Sequence, residues 1–223
     1  MLLRFDVKNL IVMASIRPFF ISAVLLFGFH FSVNGQGYTA WSVTGDLAVI
    51  MSKDDKFQAE DFLLSKSSNS LEYGVNVLAR RFYNEMSPVS IEYGIGLNRS
   101  SYSLTLYSPD EPSREISIDQ IGVSAPFRIF YGGKFTRNRN RRQSGLFVEA
   151  IPSGRFGSDI LRPIFDGYLG LGARTRGRHV YLQIAFDWRI FTTKTYFAVD
   201  ERQASFRDRT RRAALLTIGY QFP

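Results

Sequence analysis

Few side chains in this chain are suited to covalent chemistry. Across 223 residues there is no cysteine, and the two histidines are His30 and His179. Thiolate nucleophiles, disulfides and thiolate metal sites are thereby excluded, and a hydroxyl nucleophile would depend on one of two imidazoles for its base. His30 lies in an apolar N-terminal run, and the stretch around the other, Arg178-His179-Val180-Tyr181, contains no serine. His179 therefore reads as a polar residue near a turn. Glu72, Glu92, Glu149 and Asp187 have the chemistry for acid–base pairs, but arginines share their side of the chain and would hold them ionised as structural ion pairs. No glycine-rich phosphate loop, zinc spacing or EF-hand spacing occurs. No catalytic, cofactor-binding or metal-ligating residue is assigned, no enzymatic activity is expected, and no cofactor is implied.

The remaining chemistry is charge. The formal net charge is +8, and arginine gathers in two places. One is Arg137, Arg139, Arg141 and Arg142; the other is Arg202, Arg207, Arg209, Arg211 and Arg212. Guanidinium groups bind phosphates bidentately, so either run suits a phosphate-bearing surface, a protein partner, or simply solvent.

The elements that position these residues follow from two patterns. At the start, Arg4, Lys8 and Arg17 precede the apolar run Phe19–Phe31, which is followed by Ser32-Val33-Asn34-Gly35. A basic flank, a short apolar run and small residues at Val33 and Gly35 make a secretory signal peptide cleaved before Gln36. The run is shorter than the roughly 20 residues of a spanning helix. Residues 1–35 are expected to be a signal peptide and 36–223 a single domain. An exported chain meets no nucleic acid routinely, so the basic charge is not read as nucleic-acid binding.

From there, period-two alternation recurs in eight stretches: Trp41–Ile50, Leu71 to about Tyr83, Val89 to about Tyr107, Glu115 to about Phe135, Gly145–Ile151, Gly167–Thr175, Arg178–Phe191 and Ala213–Phe222. Between them, short connections (84–88, 136–144, 176–177) alternate with mostly longer ones (51–70, 108–114, 152–166, 192–212). An even strand number with short turns at one end and long loops at the other is the outer-membrane barrel layout.

Each stretch has one apolar face, as in Val180, Leu182, Ile184, Phe186, Trp188 and Ile190. The opposite faces together collect Asp46, Glu72, Glu92, Glu149 and Asp187 against Arg80, Arg128, Arg174 and Arg189, with Gly74, Gly94, Gly96, Gly122, Gly170, Gly172 and Gly219. A solvent-facing surface gains nothing from glycine, which weakens an exposed strand. A closed interior gains room for the arginine and tyrosine side chains, and near-balanced charge is what it requires. The polarity is therefore expected to be inverted, charges inward and paired, apolar faces outward. Trp41, Tyr73, Tyr83, Tyr93, Tyr131, Trp188 and Tyr220 then suit interfacial girdles.

Two resemblances follow. The end of the chain, Leu216-Thr217-Ile218-Gly219-Tyr220-Gln221-Phe222, resembles the closing strand of bacterial outer-membrane barrels, which implies that Tyr220 and Phe222 are read by the insertion machinery; Pro223 overhangs that pattern by one residue. The stretches Leu71-Glu72-Tyr73-Gly74, Ile91-Glu92-Tyr93-Gly94-Ile95-Gly96-Leu97 and Ile118-Asp119-Gln120-Ile121-Gly122-Val123-Ser124-Ala125-Pro126-Phe127-Arg128-Ile129-Phe130-Tyr131 resemble small PorT-like outer-membrane β-barrel proteins. The resemblance implies a fold and a location and carries no functional residue across.

The expected protein is an all-β, eight-stranded antiparallel up-and-down transmembrane barrel in the outer membrane. Its interior is salt-bridged and non-conducting, and its role is structural, surface-binding or in a secretion assembly. Expected partners are outer-membrane lipid, lipopolysaccharide at the arginines of 202–212, the insertion machinery, and a protein of the envelope. A lipid-modifying barrel enzyme and a soluble periplasmic carrier of a small apolar ligand are the alternatives. On this reading His179→Ala leaves function intact, whereas a dead variant would bring the enzyme forward.

Overall fold

Residues 38–52, 56–59, 62–66, 69–82, 87–107, 113–132, 143–158, 160–177, 179–199, 202–206 and 211–222 are described by a computed structural model. The expected signal peptide and the run Arg137–Arg142 lie outside the described residues. The alternating stretches, rich in Val, Ile, Leu, Tyr and Phe, form strands, because such side chains fit a pleated surface with one face apolar.

In chain order the strands are β1 (Tyr38–Ser52), β2 (Lys56–Ala59), β3 (Phe62–Lys66), β4 (Asn69–Phe82), β5 (Val89–Tyr107), β6 (Arg114–Ser124), β7 (Phe127–Tyr131), β8 (Gln143–Phe156), β9 (Ile164–Arg176), β10 (Val180–Thr192), β11 (Thr195–Val199), β12 (Arg202–Phe206) and β13 (Arg211–Gln221). Following antiparallel pairing around the sheet gives β1, β4, β5, β6 with β7, β8, β9, β10, β13 and again β1. Strands β6 and β7 are two halves of one stave, since both pair with β5 and β8. The result is a closed eight-staved up-and-down barrel. The seam is β1 on β13, with Val43 opposite Tyr220, Asp46 opposite Thr217 and Ile50 opposite Ala213.

Three expectations about elements are corrected. The stretch from Glu115 to Phe135 is interrupted at Ala125-Pro126 and is described only to Gly132, because Pro126 has no N–H for the ladder. The ladder is bridged there by the Ala125 N–H donating to the Pro152 carbonyl at 2.9 Å. Second, 152–166 is mostly strand: β8 passes through Pro152 to Phe156 and β9 begins at Ile164. Third, the long connections 51–70 and 192–212 contain hairpins, β2–β3 and β11–β12. The first continues outward from the edge of β5, with Leu63 opposite Tyr107; the second is a separate two-stranded sheet.

The two faces of the wall differ sharply in polarity. Outward residues are apolar and open, for example Leu97 at 61%, Ile184 at 50% and Ile218 at 57% exposure. Inward residues are buried and include Arg80, Glu92, Arg128, Glu149, Arg155, Asp166, Arg174 and Asp187. Interior glycines are holes filled from the adjacent strand. A Cβ on Gly219 would lie 2.1 Å from the Tyr181 ring, one on Gly172 2.1 Å from the Phe147 ring, and one on Gly96 1.9 Å from the Asn76 amide oxygen. Each of these residues is the direct cross-strand partner of its glycine. Small beside large is how an eight-stranded lumen is packed.

Gly172→Val should therefore lower barrel stability by roughly 1–3 kcal/mol, the usual cost of overpacking a filled core. Gly45→Ala, whose Cβ would meet nothing within 4 Å, should not destabilise through overpacking; denaturant midpoints of the refolded variants check both.

Candidate functional site

Near the short-turn end the ladder places Glu92 of β5, Arg128 of β7 and Glu149 of β8 on one rung. Arg128 donates through Nη1 to Glu92 Oε1 at 2.9 Å and through Nε to Glu149 Oε2 at 2.6 Å. Arg174 of β9 reaches across the lumen and grips both oxygens of Glu92, Nη1 to Oε2 at 2.8 Å and Nη2 to Oε1 at 2.8 Å. That fork is the strongest geometry a guanidinium offers a carboxylate. Arg174 also donates from Nη2 to the Gln183 amide oxygen at 2.8 Å. Aromatic rings close the floor: the Arg174 guanidinium lies 4.2 Å from the Phe130 ring and 4.0 Å from the Tyr181 ring. Arg80 lies 4.4 Å from Phe130 and 4.8 Å from Phe82 while its Nε donates to Ser90 Oγ at 2.8 Å. All three arginines are thus held by cation–π contacts as well as by polar partners, Arg128 lying 5.8 Å from Phe147.

A second cluster sits nearer the loop end. Arg155 of β8 lies between Glu72 Oε2 and Asp166 Oδ2, each at 3.0 Å, and donates to the Tyr168 hydroxyl at 2.7 Å. Arg189 lies 3.4 Å from Asp166 Oδ1 and donates to Tyr168 at 3.0 Å. Glu72 also accepts from the Asn98 amide at 2.6 Å. Arg155 and Asp166 were not among the residues expected inside. Pro152 and Gly154 break the alternation of β8 and disguise it as loop, though Ser153 and Arg155 keep the inward register.

Between the clusters lies a cavity of about 70 Å³ whose lining includes Asp46, Asn76, Asn98, Ser153 and Asp187. Here the expected ion pairing is modified. Asp46 accepts from the Asn76 amide and Asp187 lies over Gly170, and among the described residues neither lies within ion-pair distance of an arginine. Of the other interior residues expected from the sequence, Glu72, Glu92, Arg128, Glu149, Arg174 and Arg189 are brought into ion pairs, and Arg80 is stacked at the floor.

Nothing in this arrangement resembles a nucleophile with its base. His179, at the β9–β10 turn, stacks on Tyr220 with ring centroids 5.8 Å apart, and Tyr220 meets Phe222 edge-on at 5.4 Å. The end of the closing strand is held on both sides, Gln221 N–H donating to the His179 carbonyl and Phe222 N–H to the Trp41 carbonyl, both at 2.8 Å. Tyr220 and Phe222 are outward and about half exposed. Among the described residues no group of three or more His, Asp or Glu has the geometry to hold a metal ion. Arg202 lies in β12 and Arg211 and Arg212 open β13; Arg207 and Arg209 lie outside the described residues.

The fold and its polarity define a class, the eight-stranded outer-membrane type of β-barrel. Among solved structures the chain is similar to the outer membrane protein OprG from Pseudomonas aeruginosa, at 10% identity over 84% of this chain and 98% of that one, with a TM-score of 0.53. Neisserial surface protein A (13% identity, 83% and 99% coverage, TM-score 0.37) and the attachment invasion locus protein Ail of Yersinia pestis (14%, 83% and 99%, 0.36) superpose less closely. No family model matches the chain, and no curated protein matches it.

Glu92 is gripped by two buried arginines and gives the sharpest test. Glu92→Gln leaves Arg128 and Arg174 short of a buried anion and should cost roughly 3–5 kcal/mol of stability, seen as a lower urea midpoint. Asp119→Asn, in the half-exposed outer pair with Arg99 (2.8 Å), should leave the midpoint unchanged because water screens that pair.

Proposed function

We propose that this protein resides in the outer membrane as a sealed barrel and does structural or surface-binding work through its ends, without catalysis. The observation that carries the reading is the inverted polarity: open apolar side chains on the outside of a wall whose inside holds paired arginines and carboxylates. In water that exterior would be a very large apolar patch; in lipid it is the required surface. Its dimensions fit. On β4 the outward residues run from Leu71 to Arg81, a rise of roughly 34 Å along the strand and roughly 26 Å along the axis at the usual tilt of about 40°. Exposed Trp41, Tyr131 and Tyr220 rim the turn end, and Tyr73 and Trp188 stand toward the loop end.

A lumen crossed by Arg174 and Arg155 supports a non-conducting interior, which leaves the loops, the hairpins and the outer wall to meet partners. Membership of the PorT-like group is part of the proposal. It rests on the quoted strand stretches, whose Glu72 and Glu92 take the interior positions while Tyr73 and Tyr93 face outward. So are recognition of Tyr220 and Phe222 by the insertion machinery, contact of the 202–212 arginines with lipopolysaccharide, and a protein partner in the envelope. A catalytic barrel is disfavoured because His179 is stacked against Tyr220 at a turn.

The test is envelope fractionation with heat-modifiable gel migration, joined to planar-bilayer recording. An outer-membrane band whose mobility shifts on boiling, with no steady conductance, is expected; a soluble, non-shifting protein would overturn the membrane reading, and a steady current would overturn the sealed interior. Ile184→Arg, on the outer face, should prevent assembly, since a charge near the bilayer midplane costs roughly 2–4 kcal/mol.

A further inference from the structure

The outer wall is not the same all the way round at its loop end. On β5 and β6, beyond Arg99, the exposed outward positions are Ser101, Glu115, Ser117 and Asp119, neutral or acidic. On β8 to β10 the apolar surface continues instead. Phe156 is 45% exposed, Leu161 47%, Ile190 57% and Phe191 50%. A β-bulge makes this possible. Pairing of β10 with β9 steps from Arg189–Tyr168 to Phe191–Gly167, so the extra residue Ile190 and its neighbour Phe191 both face outward. Gly167 is the seat for the Phe191 ring: a Cβ there would lie 1.9 Å from it.

Two exposed cations adjoin this apolar ledge along the chain, Arg162 next to Leu161 and Lys194 three residues after Phe191. The Phe165 and Thr193 N–H groups bond across, to Thr193 Oγ1 and the Phe165 carbonyl, each at 2.9 Å. Leu161 N–H donates to the Tyr196 carbonyl at 2.8 Å, and the Arg162 guanidinium stacks 4.6 Å from the Tyr196 ring. Lys194 immediately precedes β11, two residues before Tyr196. Asp119, whose backbone carbonyl lies beside Gly157 at the edge of the ledge, has its carboxylate engaged by Arg99 at 2.8 Å.

We infer that this ledge is a binding site for a phosphate-bearing lipid of the surrounding leaflet, its acyl chains on Phe156, Leu161, Ile190 and Phe191 and its phosphate on Arg162 and Lys194. The inference rests on the outer-membrane reading above. Charge complementarity selects the occupant: an apolar strip ending in two cations matches an amphiphile that ends in an anion, and the stack on Tyr196 keeps the guanidinium presented outward. A second protein would need a broad complementary face; a lipid needs only this strip, which is continuous with the apolar belt.

The experiment folds the full barrel into phosphatidylcholine vesicles doped with lipid A or with lipid A stripped of its phosphates. After extraction in mild detergent, native mass spectrometry counts the lipid retained per barrel. Retention of phosphorylated lipid A is expected to exceed that of the stripped lipid. It should fall about thirtyfold in the Arg162→Gln/Lys194→Gln variant, because the attraction that a basic residue near the membrane surface adds for anionic lipid is lost twice. Equal retention of the two lipids by the wild type, or unchanged retention by a variant that still shows the heat-modifiable band, overturns the site. Should the variant fail to fold, the comparison of the two lipids on the wild type decides. A wild type that never inserts overturns the outer-membrane reading itself and is recognised by the absence of that band.

Discussion

Closure of eight strands is the constraint on which the rest of this structure depends. An eight-stranded barrel encloses a lumen just wide enough for side chains, so whatever points inward must fill it and satisfy its own charge. Here Glu92 does most of that work. It accepts from Arg128 on the neighbouring stave and from Arg174 across the lumen, linking opposite walls through one carboxylate. Such pairs add little net stability compared with an apolar core, because desolvation offsets attraction; the loss of one member is what costs. Their value is in fixing a unique arrangement of long side chains inside a tube.

The glycines and aromatics follow from the same constraint. Guanidinium planes need flat neighbours, and Phe82, Phe130, Phe147 and Tyr181 provide them. Those rings need space, and Gly172 and Gly219 opposite Phe147 and Tyr181 give it. Once the polar groups are consumed inside, the outward positions are left with Leu, Ile, Val and aromatic residues. The exterior is apolar while the interior holds the charges together with buried Ile50, Phe130 and Leu215, and a lipid environment is the one in which both faces are satisfied. Variation is confined to the ends and to the wall near the loop rim, where the Ile190 bulge extends the apolar strip beside Arg162 and Lys194.

Much of this was legible in the residues. Strict alternation through Val180–Ile190 and Val89–Leu97 assigns one side of each strand, and the Glu, Asp, Arg and Gly on the other side announce a crowded polar interior. The alternation of short and long connections gives the antiparallel order. Legibility failed where proline or glycine interrupted the period. Pro152 and Gly154 concealed that β8 continues inward to Arg155, and with it the Glu72–Arg155–Asp166 cluster. Pro126 concealed that one stave is built from two strands. The hairpins β2–β3 and β11–β12 are not legible, since their few residues are too short to display a period.

The sequence by itself determined the class of structure, the eight staves, and which side of most of them was polar, because side-chain alternation is local and each strand carries it independently. Only the tertiary structure decided which charges meet. Glu92 and Arg174 are 82 residues apart and are not on adjacent staves; their contact exists because the barrel closes and its lumen is narrow enough for a guanidinium to cross. It also decided which carboxylates have no arginine within ion-pair distance among the described residues, Asp46 and Asp187. Reach across a lumen depends on strand register and tilt, and those are properties of the closed sheet.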